Sequence, residues 1–276
     1  MVDPMVEMFA RYTHLEKEYG HLPGMSDRLQ ADLLGLTEAE LLELRTGLDA
    51  GVRDAADGLL ADAEFAARVD RLPFHSGQTI VAVGDSMTDD QQSWLAIVTN
   101  LLALRRGDET FTVVNNGVSG YTTAMALRRT VPALAYRRPD WVLCLLGGND
   151  ATRVGPEPNG TLVSIGETAR NLRAIRAIGG ALSGGASEAS WVWLTPVPVD
   201  EARVAAFTPF QRGLSSWRND DVVAVAEVLT TFDDPVVDLR RVFGVPPDPL
   251  LQGVDGVHPS LAGQTAIARA FVEAVT

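Results

Sequence analysis

Two spacings of apolar residues divide the chain. Up to about residue 72 they recur at helical spacing with no convincing strand pattern, and from about residue 76 short β-branched runs alternate with helical stretches. The first run, 79–83, suits a strand buried on both faces. It ends in Gly84-Asp85-Ser86, after which Met87, Trp94, Leu95, Val98, Leu101 and Leu102 predict a helix over 87–105. The same reading gives strands at 111–115, 140–146, 190–195 and 235–238, and helices at 122–135, 164–178, 218–231 and 260–274. Five short strands alternating with five helices predict an α/β domain, a parallel five-stranded sheet with helices on both faces. Pro/Gly-rich breaks at 155–161, 179–190, 195–200 and 244–256 read as connections.

Pro73 and Gly77 interrupt the pattern just before the first strand, which divides the chain into a helical N-terminal extension, 1–75, and a main domain, 76–276. In the extension, Thr37 and Glu40 form a capping box ahead of Leu41, Leu42, Leu44 and Leu48, and Pro23-Gly24 and Gly35 punctuate three or four helices. Residues 1–72 hold 15 acidic against 7 basic residues, so −8 of the net −13 lies there. Three uses stay open for this segment: a structural extension, a wall of a substrate pocket, or a dimerisation surface. His14 and His21 lack a third partner for a metal and read as surface histidines.

Composition narrows the function. A hydrophobic content of 46% with 21% charged residues is that of a globular enzyme-sized chain, and no apolar run reaches the roughly 18 residues of a membrane span. Residues 1–7 lack the basic and apolar regions of a secretory signal, so the expectation is a cytoplasmic protein. The net charge of −13 argues against nucleic acid or an anionic membrane as partner and favours a neutral or cationic small molecule. Lys17 is the only lysine among the 23 basic residues, which excludes a Schiff-base lysine, a Ser–Lys dyad and a phosphate-binding Gly-Lys-Ser/Thr loop from the rest of the chain. The single cysteine, Cys144, falls in an apolar run and reads as a core thiol.

In a parallel sheet the ligand crevice lies at the carboxyl ends of the strands. Those positions hold Gly84-Asp85-Ser86, then Asn115 to Thr122, then Gly147-Gly148-Asn149-Asp150, and finally Asp255-Gly256-Val257-His258-Pro259. Ser86 stands at a strand-to-helix turn, where unpaired N–H groups and the helix dipole favour negative charge. A serine hydroxyl needs a base, and His258 is the only histidine in the second half of the chain. Asp255 could orient its ring from the same turn. Backbone N–H groups of Ser86 and Gly120 and the amide of Asn149 are candidate donors to an oxyanion. Each residue alone also has a plain reading as a cap, a turn or a surface group.

Taken together, these four blocks resemble those of the SGNH (GDSL) family of serine hydrolases, which supply Ser, Gly, Asn and His in this order. The resemblance covers roughly 78–276 and leaves residues 1–75 outside it; Met87 stands where the family name has leucine. It implies Ser86 as nucleophile, His258 as base and Asp255 as its partner, with Ser86, Gly120 and Asn149 forming the oxyanion hole and Gly117 the fallback glycine. It further implies a flavodoxin-like three-layer α/β/α sandwich, no metal or other cofactor, and activity on esters, thioesters or acetylated sugars. An acyltransferase using the same triad is the alternative within this chemistry. A non-catalytic ligand-binding module is the alternative outside it, weakened by the absence of a Gly-x-Gly-x-x-Gly fingerprint. The α/β-hydrolase fold is not indicated, since no Gly-x-Ser-x-Gly occurs. Trp94, Tyr121, Phe207, Phe210 and Trp217 are candidates to border the crevice, and the segment 197–217 with Arg203 and Arg212 reads as a lid or pocket wall.

Overall fold

The computed structural model describes residues 3–157, 159–182 and 188–276. Five helices come first: α1 (Pro4–Tyr12), α2 (Leu15–Tyr19), α3 (Asp27–Leu33), α4 (Glu38–Leu60) and α5 (Ala63–Asp70). Thr37 opens α4 with the expected capping box: its N–H donates to Glu40 Oε2 (2.8 Å) and its hydroxyl accepts from the Glu40 N–H (3.2 Å). The helix count exceeds expectation because Asp62 caps a new helix, accepting from the N–H groups of Glu64 and Phe65, where the apolar spacing alone runs on.

Strand and helix then alternate. β1 (Thr79–Gly84) leads into α6 (Ser86–Asp89) and α7 (Trp94–Arg105), and β2 (Thr112–Gly117) into α8 (Thr123–Arg137). β3 (Trp141–Leu145) and the two-residue β4 (Arg153–Val154) precede α9 (Ile165–Leu182). β5 (Ser190–Leu194) is followed by α10 (Glu201–Ala206), α11 (Thr208–Arg212), β6 (Ser215–Ser216) and α12 (Asn219–Leu229). The short β7 (Val236–Val237), α13 (Leu239–Phe243) and α14 (Leu261–Val275) close the chain. The breaks expected at 155–161 and 179–190 fall partly outside the described residues, at 158 and 183–187; α9 itself extends into the second of them.

β2, β1, β3, β5 and β7 form one parallel sheet in that order, which in chain order is second, first, third, fourth, fifth. This is the flavodoxin-like arrangement, with the chain reversing direction between β1 and β3 so that the loops leaving those strands face a common crevice. Side chains alternate across the sheet. Ile80, Ala82, Leu143, Leu145, Val192 and Leu194 pack with α7 and α14, while Val81, Val83, Val142, Cys144, Trp191 and Trp193 pack with Leu134 of α8 and Leu172 and Ile175 of α9. Cys144 is fully buried, and burial pushes its thiol up, so it is an inert core residue. From the extension, Val52, Ala56 and Leu59 of α4 and Phe65 and Val69 of α5 join the α7–α14 cluster; each such burial contributes about 1.5–3 kcal/mol for the larger side chains. No helix among the described residues is long and apolar enough to cross a membrane.

One expected helix is broken. The stretch 87–105 divides into α6 and α7 because Asp90 leaves helical geometry (ψ 127°) and Ser93 caps the new helix. Asp90 is fully buried and held by long-range partners: Arg11 forks onto it through Nε (3.0 Å) and Nη2 (2.6 Å), and Gln264 donates at 3.2 Å. These contacts outweigh the local helical preference.

Candidate active site

All four sequence blocks converge at the carboxyl ends of β1, β2 and β3. Ser86 is the first residue of α6, directly after the Asp85 cap, whose carboxylate accepts from the Met87 N–H at 3.0 Å. Its Oγ lies 2.9 Å from His258 Nε2, and His258 Nδ1 lies 2.6 Å from Asp255 Oδ2. Because a carboxylate only accepts, Nδ1 carries the proton and Nε2 of the neutral ring is left to accept from the Ser86 hydroxyl. The His258 turn is built by Asp255 itself, whose Oδ1 accepts from the N–H groups of Val257 and His258, both at 2.9 Å. Gly256 makes that turn possible: its φ is +75°, and a Cβ there would meet the Asp200 carbonyl oxygen at 2.5 Å. Arg203 holds the same loop from outside, donating to the carbonyls of Pro249, Gln252 and Gly253.

The candidate oxyanion donors divide clearly. Gly120 has φ +79°, is exposed, and nothing lies within 4 Å of where a Cβ would stand, so a substrate can approach its backbone closely. Gly117 is different: its N–H donates to Asn115 Oδ1 (3.0 Å), and a Cβ would meet the Asp89 nitrogen at 2.8 Å. It serves the close approach of α6 to β2 and has no free donor to offer. Asn149 follows β3 and points one amide hydrogen at the Tyr121 carbonyl (3.1 Å), which fixes the side chain and leaves the second hydrogen available. Beside Ser86 and Asn149 lies an apolar recess lined by Met87, Leu145, Val197, Val199, Trp217 and Val257. Its free space, about 10 Å³, is that of one water-sized sphere. Trp217 closes it, donating from its indole to the Gly148 carbonyl at 3.2 Å.

Residues 82–266 match the sequence profile of the GDSL-like lipase/acylhydrolase family. The chain belongs to this family. Esterase TesA of Pseudomonas aeruginosa is 36% identical over 104 residues, covering 36% of this chain and 50% of that protein. Thioesterase 1/protease 1/lysophospholipase L1 of Escherichia coli K12 is 28% identical over 102 residues, 37% of this chain and 49% of that one. The chain thus spans about half the length of these two relatives. An acetylxylan esterase of Geobacillus stearothermophilus is 25% identical over 219 residues, 72% of this chain and 94% of that one. Among solved structures, a mutant of an acetyl-xylooligosaccharide esterase from Geobacillus superposes with a TM-score of 0.57 at 23% identity, over 73% of this chain and 95% of that one. The lipase/acylhydrolase of Enterococcus faecalis gives 0.53 at 24%, over 71% and 94%. Both show the common fold.

Charges in this family member are arranged around His258. Burial pulls the imidazole down, but the hydrogen bond to Asp255 and the charges of Asp255, Asp90 and Asp85 outweigh it, and the ring sits above its ordinary value. Burial would raise Asp255, yet the His258 hydrogen bond and charge and the two backbone N–H groups hold it below the usual carboxylate range. Asp85 is fully buried, and burial outweighs the Met87 N–H bond and the His258 charge to push it up to about 7.

The aromatic candidates divide as well. Trp217 lines the recess; Phe210 packs against it at a tilt (centroids 4.9 Å), and Phe207 meets Phe210 edge-on (5.0 Å). Trp94 does not border the crevice; it is a core residue whose indole donates to Thr88 Oγ1. Tyr121 turns its hydroxyl away to Glu18 (2.7 Å). What sequence reasoning missed is the N-terminal side of the site: the Tyr12 ring lies 4.5 Å from the His258 ring, and His14, expected at the surface, pairs with Asp89 at 2.9 Å. The adjacent acids Asp89-Asp90, one turn past the serine, were the one local signal that basic partners must come from elsewhere. Among the described residues, no group of three His, Cys, Asp or Glu side chains is placed to hold a metal ion.

Proposed function

We propose that the protein is a serine esterase that cleaves small-acyl esters through Ser86, His258 and Asp255. The observation that carries this reading is the continuous hydrogen-bond chain from Asp255 through His258 to Ser86, 2.6 and 2.9 Å long, at the crevice end of the sheet. In it, His258 takes the Ser86 proton as Oγ attacks the ester carbonyl. The oxyanion that forms is met by the N–H groups of Ser86 and Gly120 and the Asn149 amide. His258 then returns the proton to the departing alcohol, and water repeats the sequence on the acyl-enzyme. Asp255 keeps the ring in the productive tautomer and stabilises the transient imidazolium. Every group in this scheme belongs to the chain.

The narrow recess beside Ser86 favours a short acyl chain over a long one, its apolar lining excluding water from the carbonyl. The likeness to an acetylxylan esterase over nearly all of that relative's length makes acetylated sugars the first natural class to assay, with thioesters next. Hydrolysis of p-nitrophenyl acetate, butyrate and octanoate tests the reading directly. Acetate is expected to give the highest kcat/KM and octanoate the lowest, and Asn149→Ala to lower kcat on acetate by on the order of 10²–10³, the scale of one oxyanion donor. Fastest turnover of octanoate overturns the small-acyl assignment. Inactivity toward every nitrophenyl ester and toward acetylated xylo-oligosaccharides overturns the esterase reading.

The raised imidazole sets a pH dependence. The base must be neutral to accept the serine proton, so a ring held above its ordinary value of 6.5 stays protonated, and inactive, to higher pH. kcat/KM is therefore expected to climb with pH through a midpoint above 6.5. A pH–rate profile with its acid limb below that value would show that burial outweighs the Asp255 hydrogen bond and the neighbouring charges at His258.

A further inference from the structure

The N-terminal extension reaches into the catalytic centre with a few residues of unlike chemistry. Tyr12 lays its ring against the His258 imidazole, with planes inclined at 34°. Arg11, next to it, is tied by a two-pronged bond to the fully buried Asp90, which anchors the backbone that carries the tyrosine. Further along, His14 and Lys17 both grip Asp89 Oδ1, at 2.9 and 2.5 Å. The other oxygen of Asp89 accepts from the N–H and the hydroxyl of Ser119, at 2.9 and 2.7 Å. Ser119 is the residue before Gly120. Lys17 also donates to the Gly117 carbonyl (3.0 Å), and Glu18 accepts from Tyr121, the residue after Gly120. Burial would raise the Asp89 carboxyl, but its bond to His14 and the charge of Lys17 outweigh that and keep it ionised.

We propose that residues 11–18 are a strap that positions the reacting groups: Tyr12 holds the His258 ring, and Asp89, gripped by Lys17 and His14, holds the loop that presents Gly120. The inference rests on the esterase reading above and adds to it a role for a segment that the family's four blocks do not include. Its physical basis is preorganisation. An imidazole that passes a proton between Ser86 and a leaving group must keep its plane while its charge changes, and an aromatic ring against its face restrains that rotation. An oxyanion donor on a loop is effective only when the loop is already in place, since positioning within about 0.5 Å separates a working site from a loose one. Tyr12 meets His258, and Lys17 bonds to Asp89, Asn115 and Gly117; both act through another group and are positioning residues.

The test uses the full chain and p-nitrophenyl acetate, with wild type and Ser86→Ala in parallel. Tyr12→Ala is expected to lower kcat by on the order of tenfold with KM within about twofold, the signature of misplaced reacting groups and not of lost substrate binding. Tyr12→Phe, which keeps the ring, should recover most of that loss. Phe9→Ala, at an exposed position on the same helix, should leave kcat unchanged. Lys17→Met probes the second arm independently and should also lower kcat at constant KM, so the proposal stays testable if one variant fails to fold by circular dichroism. Folded Tyr12→Ala and Lys17→Met enzymes with wild-type kcat overturn the strap, as does a loss confined to KM, which would make the segment a substrate wall. Equal loss in Tyr12→Phe and Tyr12→Ala overturns the ring contact. If wild type is no more active than Ser86→Ala, the esterase reading itself falls, whatever the strap variants do.

Discussion

Replacing Ser86 with alanine is expected to lower kcat on p-nitrophenyl acetate by on the order of 10⁶, leaving KM and the melting temperature nearly unchanged. The size follows from the role proposed for the hydroxyl: without it no acyl-enzyme forms, and water must attack the bound ester directly. Stability should not suffer. Ser86 is buried at the first turn of α6, and the helix is capped by Asp85, not by the serine. Alanine at a first helical position is well tolerated, and the only side-chain bond lost is the one to His258. In the proposed mechanism the three groups act as one unit, so the Ser86→Ala/His258→Ala double variant should be little worse than either single change. Activity above about 1% of wild type in a purified, folded Ser86→Ala protein would show that the nucleophile lies elsewhere.

Asp255→Asn has the second largest expected effect, a fall in kcat of on the order of 10⁴. The substitution is nearly isosteric, and the amide oxygen can still accept from the N–H groups of Val257 and His258, so the turn that carries the histidine is retained. What changes is the atom facing Nδ1. An NH₂ group there donates, the ring must present Nδ1 as acceptor, and the proton moves to Nε2, where it points at Ser86 in the wrong tautomer. A second readout separates this from simple loosening. Asp255 is the largest influence raising the His258 imidazole, so the acid limb of the pH–rate profile in Asp255→Asn should move down relative to wild type. A full-rate Asp255→Asn enzyme, or one whose acid limb does not move, would leave Asp255 as a structural residue of the turn.

Much of the fold was legible because its signals are local. Runs such as Ile80 to Val83 are β-branched and apolar on both sides, as a strand between two helical layers must be, and each was followed by a stretch of helical spacing long enough to cover the sheet. The site was legible for the same reason. In a parallel sheet the chemistry collects where strands end, and reading those ends in order picks out Ser86, Gly120 and Asn149 as candidates, with His258 on the long loop that follows the last strand. The departures come where distant residues overrule local preference. The helix over 87–105 breaks at Asp90 because Arg11 and Gln264, both far along the chain, bind that carboxylate. Trp94 reads equally well as a crevice aromatic or a core residue, and only packing against Phe271 (centroids 5.5 Å) and burial on the α14 side decide for the core.

Alternation of apolar residues determined by itself that this chain forms a five-stranded parallel sheet between helices, and the order of four short blocks determined which residues stand at its crevice. Both are properties of neighbours in sequence, where backbone geometry dictates which side chains share a face. Tertiary structure alone decided the rest: that α6 and β2 approach too closely at Gly117 for a Cβ, that Trp217 closes the recess beside Ser86, and that residues 11–18 lie against His258 and the Gly120 loop. These depend on pairs some 30 to 250 residues apart, such as Ser119 with Asp89 and Tyr12 with His258. No local propensity encodes such pairings, because their energies exist only once the whole chain has closed around them.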